Sequence, residues 1–317
     1  MNKKSKIYVS GHKGLLGSAI VRTLEKKGYT NIITRTHKEL DLENQQEVDN
    51  FFKKERPEYV FIAAGKVGGI MENSNKPAEF IYNNTMITFN LINSSYKYKV
   101  KKLVNPGSSC IYPRLASQPI KEEYLLTSPL EKTNEAYAIA KIGAIKLCSS
   151  YNKQYNTNYL SVMPCNLYGI NDNFNLNSSH VLPAMIIKFH NAKINKEKEI
   201  TLWGTGKAKR EFLYADDIGD AMVYLMEKLD ANKIESEFLN IGTGKEITIK
   251  QLANLIKKTV GYKGKILWDS TKPDGTPRKV LDVSKLSKLG WKYKTNLEKG
   301  IKETYKWFLK NQKEIRK

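Results

Sequence analysis

The chain has 317 residues, 40% hydrophobic and 27% charged, a composition that suits one large or two smaller globular domains and excludes a disordered chain. Its formal charge of +21 rests on 46 Lys and only 7 Arg spread along the whole length. Arg is the side chain suited to bidentate reading of phosphates and guanines, so this balance points to solvated surface and anionic small ligands and away from nucleic acid.

The N-terminal MNKKSKIYVSG lacks the apolar run and small-residue cleavage site of a signal peptide, and no stretch approaches the ~18 apolar residues of a membrane span. A cytoplasmic protein without a membrane partner is the expectation. Lys6 to Ser10 reads as a strand, and Leu16, Ile20 and Leu24 then recur at i, i+4, i+8 on one helical face. Strands follow at 31–34, 59–64, 102–105 and 160–163, alternating with helices at 44–54, about 77–98 and 135–155. This alternation predicts an α/β fold with a doubly wound parallel sheet of Rossmann type. Beyond about residue 170 the alternation fails, at the turn-rich Asn171 to Asn175, before helices at 181–192 and 248–260. Strands at Glu211-Phe212-Leu213 and Phe238 to Ile241 are expected to return to the sheet. The domains would then be 1–170 plus about 212–245 for the cofactor, with 171–211 plus 246–317 as a smaller, discontinuous substrate domain. Cys110, Cys148 and Cys165 are too few and scattered for a disulfide framework, and no Cys/His spacing suggests a metal.

Gly11-His12-Lys13-Gly14-Leu15-Leu16-Gly17 joins the first strand to the first helix. A GxxGxxG turn there permits close backbone approach to a pyrophosphate and aims helix amides at its oxygens. The second strand ends in Thr34-Arg35-Thr36-His37-Lys38, where an NAD site usually places an acid. Three potentially cationic groups there, with Lys13 nearby, favour NADP(H), and Asp41 is placed to approach the adenine. Further along, Tyr137 and Lys141 stand one helical turn apart, so the ammonium is expected to lower the phenol pKa and make a proton-transfer pair. Ser108, in Gly107-Ser108-Ser109-Cys110, adds a hydroxyl at the carboxyl end of the fourth strand, where such sheets bind ligands.

Gly11, Gly14, Gly17, Ser108 and Tyr137-xxx-Lys141 resemble the extended short-chain dehydrogenase/reductases. A narrower resemblance, to their GDP-L-fucose synthase branch, rests on Ala63 to Ile70, Gly107 to Pro113, Asn134 to Lys141 and Met163 to Gly169. It continues through Asp172-Asn173-Phe174, Ser179-His180-Val181, Trp203 to Gly206, Arg210 to Leu213 and Lys272 to Lys279. The resemblance implies a GDP-linked 4-keto-6-deoxy sugar as substrate, inverted at C3 and C5 and reduced at C4 with NADPH. It also implies Cys110 as base and His180 as acid for the inversions, Tyr137 as proton donor to the C4 oxygen, Lys141 on the nicotinamide ribose and Ser108 on the carbonyl oxygen. For the cofactor it adds Pro106, Gly107, Ser108, Ser109, Pro164, Cys165, Asn166, Leu167 and His180 to the glycine loop, and for the substrate it implies Lys188, Trp203, Arg210 and Asp274. Members commonly form homodimers through the helices at about 77–98 and 135–155. Lys13, His37 and Lys188 stand where the family often has Arg, and Ile170-Asn171 replaces a frequent Pro-His pair. These departures leave open an alternative, a C4 reductase of a related GDP-4-keto-6-deoxy sugar such as a heptose, with little or no epimerisation.

Overall fold

The computed structural model describes residues 1–176, 178–272, 274–312 and 315. Pro273, inside the Lys272 to Lys279 run, lies outside them. The first half alternates β1 (Ile7–Val9), α1 (Leu15–Lys26), β2 (Ile32–Ile33), α2 (Gln45–Glu55), β3 (Tyr59–Phe61), a short α3 (Ile70–Asn75), α4 (Pro77–Lys97), β4 (Lys102–Pro106), α5 (Glu135–Tyr155) and β5 (Tyr159–Pro164). The second half holds β6 (Asn166–Tyr168), α6 (Val181–Ile194), β7 (Glu199–Trp203), β8 (Lys209–Tyr214), α7 (Ala215–Lys228), β9 (Phe238–Ile241), β10 (Glu246–Thr248), α8 (Ile249–Val260), β11 (Lys265–Asp269), β12 (Arg278–Lys279), α9 (Ser284–Lys288) and α10 (Leu297–Lys310). None of the helices is long and apolar enough to cross a membrane among the described residues.

Six strands form one parallel sheet in the order β2-β1-β3-β4-β5-β9. The order reverses at β1 and β3, a crevice where open α/β sheets bind ligands at their carboxyl ends. Both faces are covered, which is why β4 and β5 are buried throughout instead of alternating. Within α1, Ile20 and Leu24 are fully buried, as the i, i+4 spacing predicts.

The two late strands part company. β9 does extend the sheet beside β5, whereas β8 pairs with β6, β10 and β12 in a second sheet. The expectation that Glu211-Phe212-Leu213 returns to the central sheet is therefore corrected. The physical reason is Glu211, a fully buried carboxylate. Its Oε1 accepts from the N–H groups of Thr243 and Gly244 (2.5 and 2.6 Å) and its Oε2 from that of Leu281 (2.8 Å). Such a hub needs loop amides around it, which the interior of a six-stranded ladder does not leave free. Burial pushes the Glu211 carboxyl above its usual pKa, and the backbone donors pull it back. Glu211→Ala strands these donors and is expected to cost roughly 2 kcal/mol, read as a lower urea midpoint at unchanged m-value. An unchanged midpoint would remove Glu211 from this role.

Candidate active site

The glycine turn fits an anionic ligand. An added Cβ at Gly11, whose φ is +66°, would lie 2.6 Å from the Ala64 nitrogen, so only glycine allows this approach of the loop to the strand-end backbone. Gly14 caps α1 without a side-chain acceptor, and no acid occupies the first turn, leaving the helix N–H groups to a ligand. His12 adds a buried Nδ1 without a hydrogen-bond partner. Leu15 and Leu16 are half-buried beside this turn, and Lys13 is exposed. These features fit a dinucleotide pyrophosphate.

The end of β2 is less purely cationic than its first five residues suggest. Arg35 donates to Glu55 (2.7 Å), and Glu39 accepts from the N–H and hydroxyl of Thr36 (both 2.7 Å). Asp41 stands 3.9 Å from the His37 Nδ1 and accepts from the Glu43 N–H at 3.0 Å. A carboxylate thus does stand at this edge, at Glu39, one residue beyond the cationic Thr34 to Lys38 segment.

Four of the proposed catalytic residues converge where β4 ends and α5 begins. β4 leaves the sheet at Pro106 and Gly107, and Ser108 caps a short 3-10 turn over Ser109–Ile111, its Oγ accepting from the Cys110 N–H at 3.5 Å. This turn places the Cys110 thiol and the Ser108 hydroxyl beside the first turns of α5, close enough to Tyr137 to act on its phenol. Lys141 is buried at 4% exposure, with its Nζ 3.4 Å from the Pro106 oxygen and 5.7 Å from the centre of the Tyr137 ring.

Burial dominates the electrostatics. It pushes the Tyr137 phenol well above its ordinary pKa, with the Cys110 charge adding to this and the Ser108 bond opposing it. The expected lowering by Lys141 is therefore corrected: desolvation outweighs an ammonium held off the phenol oxygen, so Tyr137 is a neutral acid before ligands enter. Lys141 itself is pushed down to about 8 by burial. The Cys110 thiol is raised by burial, opposed by Ser108, Lys279 and Lys141.

Lys279 belongs to the Lys272 to Lys279 motif, which by itself gives it no role. It pairs with Arg210 across the β8–β12 ladder, and its ammonium, depressed by burial, is near enough to Cys110 for the two charges to interact. A Lys beside the apolar Val280-Leu281 was the available signal. Asn84 was also missed: wholly buried in α4, it donates to the Lys66 and Phe80 carbonyls while its Oδ1 has no partner.

On the strand-five side, Pro164 and Cys165 are buried, Asn166 donates to the Glu211 carbonyl at 2.8 Å, and Leu167 pairs with Leu213. His180 is the N-cap of α6, exposed at its surface yet crowded by surrounding protein, which lowers its imidazole pKa. Further out, the Lys188 Nζ lies 5.8 Å from the centre of the half-exposed Trp203 ring. Arg210 donates to the Asp274 carbonyl at 3.4 Å, but the Asp274 carboxylate already accepts from the Thr205 N–H and hydroxyl (2.7 and 2.6 Å). Asp274 thus shapes the Trp203–Gly206 turn in addition to any contact with a ligand.

A family model described as the NAD dependent epimerase/dehydratase family matches residues 7–242. A putative GDP-L-fucose synthase of Arabidopsis thaliana is 54% identical over 98% of this chain and 94% of its own. Among solved structures, a GDP-6-OMe-4-keto-L-xylo-heptose reductase from C. jejuni superposes with a TM-score of 0.95 at 40% identity, covering 98% of this chain and 99% of its own. A GDP-L-fucose synthetase from Naegleria fowleri bound to NADP gives 0.91 at 31%, covering 100% and 96%. The fold, the glycine turn and near full-length similarity agree that this chain belongs to the NAD dependent epimerase/dehydratase family and, within it, to the branch of the GDP-L-fucose synthases.

Proposed function

We propose that the protein converts GDP-4-keto-6-deoxy-D-mannose to GDP-L-fucose, inverting C3 and C5 and reducing C4 with NADPH. The observation that carries this reading is the Cys110 thiol set among Ser108, Tyr137, Lys141 and Lys279. A thiol at that place offers the base that inversion needs and that reduction of a ketone does not.

In this mechanism the Ser108 hydroxyl holds the C4 carbonyl oxygen, which acidifies the hydrogens on C3 and C5. Lys141 and Lys279 favour the Cys110 thiolate, which takes such a proton, and His180 returns one to the opposite face of the enolate. Bound NADPH supplies the hydride for C4. Tyr137, neutral by burial, gives its proton to the C4 oxygen at that step, and the Lys141 charge steadies the phenolate that results. The glycine turn and the amides of α1 would hold the pyrophosphate, with Arg35 and Lys13 toward a 2'-phosphate and Asp41 toward the adenine. Pro106 to Ser109, Pro164 to Leu167 and His180 would line the nicotinamide end, and Lys141 would hold its ribose. Lys188, Arg210, Trp203 and Asp274 would take the GDP-sugar, cations meeting diphosphate and the indole packing on a ring. The same reading divides the chain into a cofactor domain built on the six-stranded sheet and a substrate domain around β8. It includes a homodimer paired through α4 and α5, which leave Tyr82, Ile139 and Tyr155 exposed.

Incubation with GDP-4-keto-6-deoxy-D-mannose and NADPH in deuterated water tests the reading. Deuterium at both C3 and C5 of the reduced product is expected. NADPH oxidation with no deuterium at either carbon would sink it in favour of a C4 reductase, the kind of activity for which the C. jejuni heptose reductase is named.

The buried Lys141 adds a pH prediction. Its folded-state pKa of about 8 lies below the ordinary 10.5, so the ammonium predominates at neutral pH and is lost as pH rises through 8. NADPH affinity of the free enzyme should fall above pH 8, with proton uptake on binding, when titrated by fluorescence between pH 7 and 9.5. Affinity flat across that range would refute the assignment of Lys141 to the cofactor.

A further inference from the structure

His180 follows a turn that is tied to the loop before α3, and the geometry points to Gly69 as the residue that positions it. The inference rests on the role proposed above for His180. Within the turn before His180, the Asn175 carbonyl accepts from the N–H groups of Ser178 and Ser179 (3.2 and 2.8 Å), and Asn173 donates to the Ser178 hydroxyl at 2.8 Å. On its other side, the His180 carbonyl accepts from the Ala184 N–H at 3.0 Å, and no side chain caps α6. Across the cleft, the Gly69 N–H donates to the Ser178 carbonyl at 2.9 Å.

Gly69 is prepared for that bond. Asn73 donates to the carbonyls of both Gly68 and Gly69 (2.8 and 3.0 Å), fixing the peptide so that its N–H faces the His180 turn. With φ −69° and ψ −179°, Gly69 has a backbone any residue adopts. Glycine is required there by space: an added Cβ would lie 2.9 Å from the Ser179 carbonyl oxygen, a backbone atom one residue before His180. The same segment reaches the reduction centre. Asn84 holds the Lys66 carbonyl at 3.0 Å, a Cβ on Gly65 would stand 3.7 Å from the Lys141 Nζ, and the Phe80 ring meets the Tyr137 ring edge-on at 6.0 Å. Residues 65–80 thus span from Tyr137 and Lys141 to the His180 turn, and the Gly69–Ser178 bond sets how far the imidazole stands from the carbon it serves.

Gly69→Ala pushes the Ser179 carbonyl away and displaces His180. A misplacement of about 1 Å costs proton transfer about 10- to 100-fold. Deuterium incorporation at the epimerised carbons is therefore expected to slow by that factor, well beyond any change in NADPH affinity, because the glycine turn that would hold the pyrophosphate is untouched. Asn73→Ala, which adds no bulk, should act in the same direction more weakly and serves if the first variant folds poorly. Val67→Ala, exposed in the same loop, should leave the rates unchanged. Because the chain has only four His, the His180 imidazole signal and its titration can be followed by NMR without turnover. Both variants should move that signal and the pH limb of exchange. An unmoved signal and wild-type exchange in both would overturn the inference. Wild-type enzyme that fails to exchange deuterium, with a His180 signal that still moves in Gly69→Ala, would instead overturn the reading of the reaction and leave the positioning bond standing.

Discussion

Tyr137→Phe is expected to slow NADPH oxidation with substrate by roughly 10²- to 10⁴-fold, the range for loss of a positioned acid. The phenol is the neutral acid of the site: burial holds it well above its ordinary pKa, and it stands near Ser108, the hydroxyl assigned to the carbonyl oxygen. Phe keeps the edge-on contact with Phe80 and removes only the hydroxyl, so folding and NADPH affinity should change little. Stopped-flow measurement of NADPH oxidation, beside a binding titration, separates the two. Oxidation at the wild-type rate would move the proton donor to another group.

Cys110→Ser should abolish exchange at C3 and C5 by a similar factor while preserving shape. An alcohol is far harder to ionise than a thiol, and burial already raises the thiol here against the pull of Ser108, Lys279 and Lys141. Replacing sulfur by oxygen therefore leaves the base protonated throughout the working range. The readout is deuterium at each carbon by NMR. Exchange persisting at both carbons would exclude the thiol as base, and would make Cys110 the buried packing residue that most free cysteines are. Exchange lost at both carbons with NADPH affinity retained would place both inversions on one thiol. That split distinguishes a damaged site from a missing base.

The central sheet was readable because its signal is local. Strands at Ile7–Val9 and Tyr159–Pro164 and the helix at Glu135–Tyr155 announce themselves through β-branched runs and flanking turns, and the glycine turn carries its own backbone demand. The short helix Ile70–Asn75 was invisible, because six residues hold too little periodicity and its position comes from Asn73 binding the glycine carbonyls behind it. The strand at Lys209–Tyr214 was recognised as a strand but assigned to the wrong sheet. Its partners are chosen by the buried Glu211, whose donors come from residues 243, 244 and 281.

At the site, residue type and spacing pointed to Ser108, Tyr137 and Lys141, and the family resemblance added Cys110; a strand end and one helix face bring the four together within a few turns of chain. Charge state was another matter. From spacing alone, Lys141 lowers the Tyr137 pKa; in the folded protein desolvation wins, since surrounding protein crowds both groups and replaces much of the water that would support their ionisation. Lys279 and Gly69 each act across more than 60 residues of sequence, so their meaning exists only once the sheets are packed. Local backbone preference and side-chain chemistry are written in the order of residues, whereas burial and the direction in which it moves a proton are properties of what surrounds a group, and only the tertiary structure supplies those surroundings.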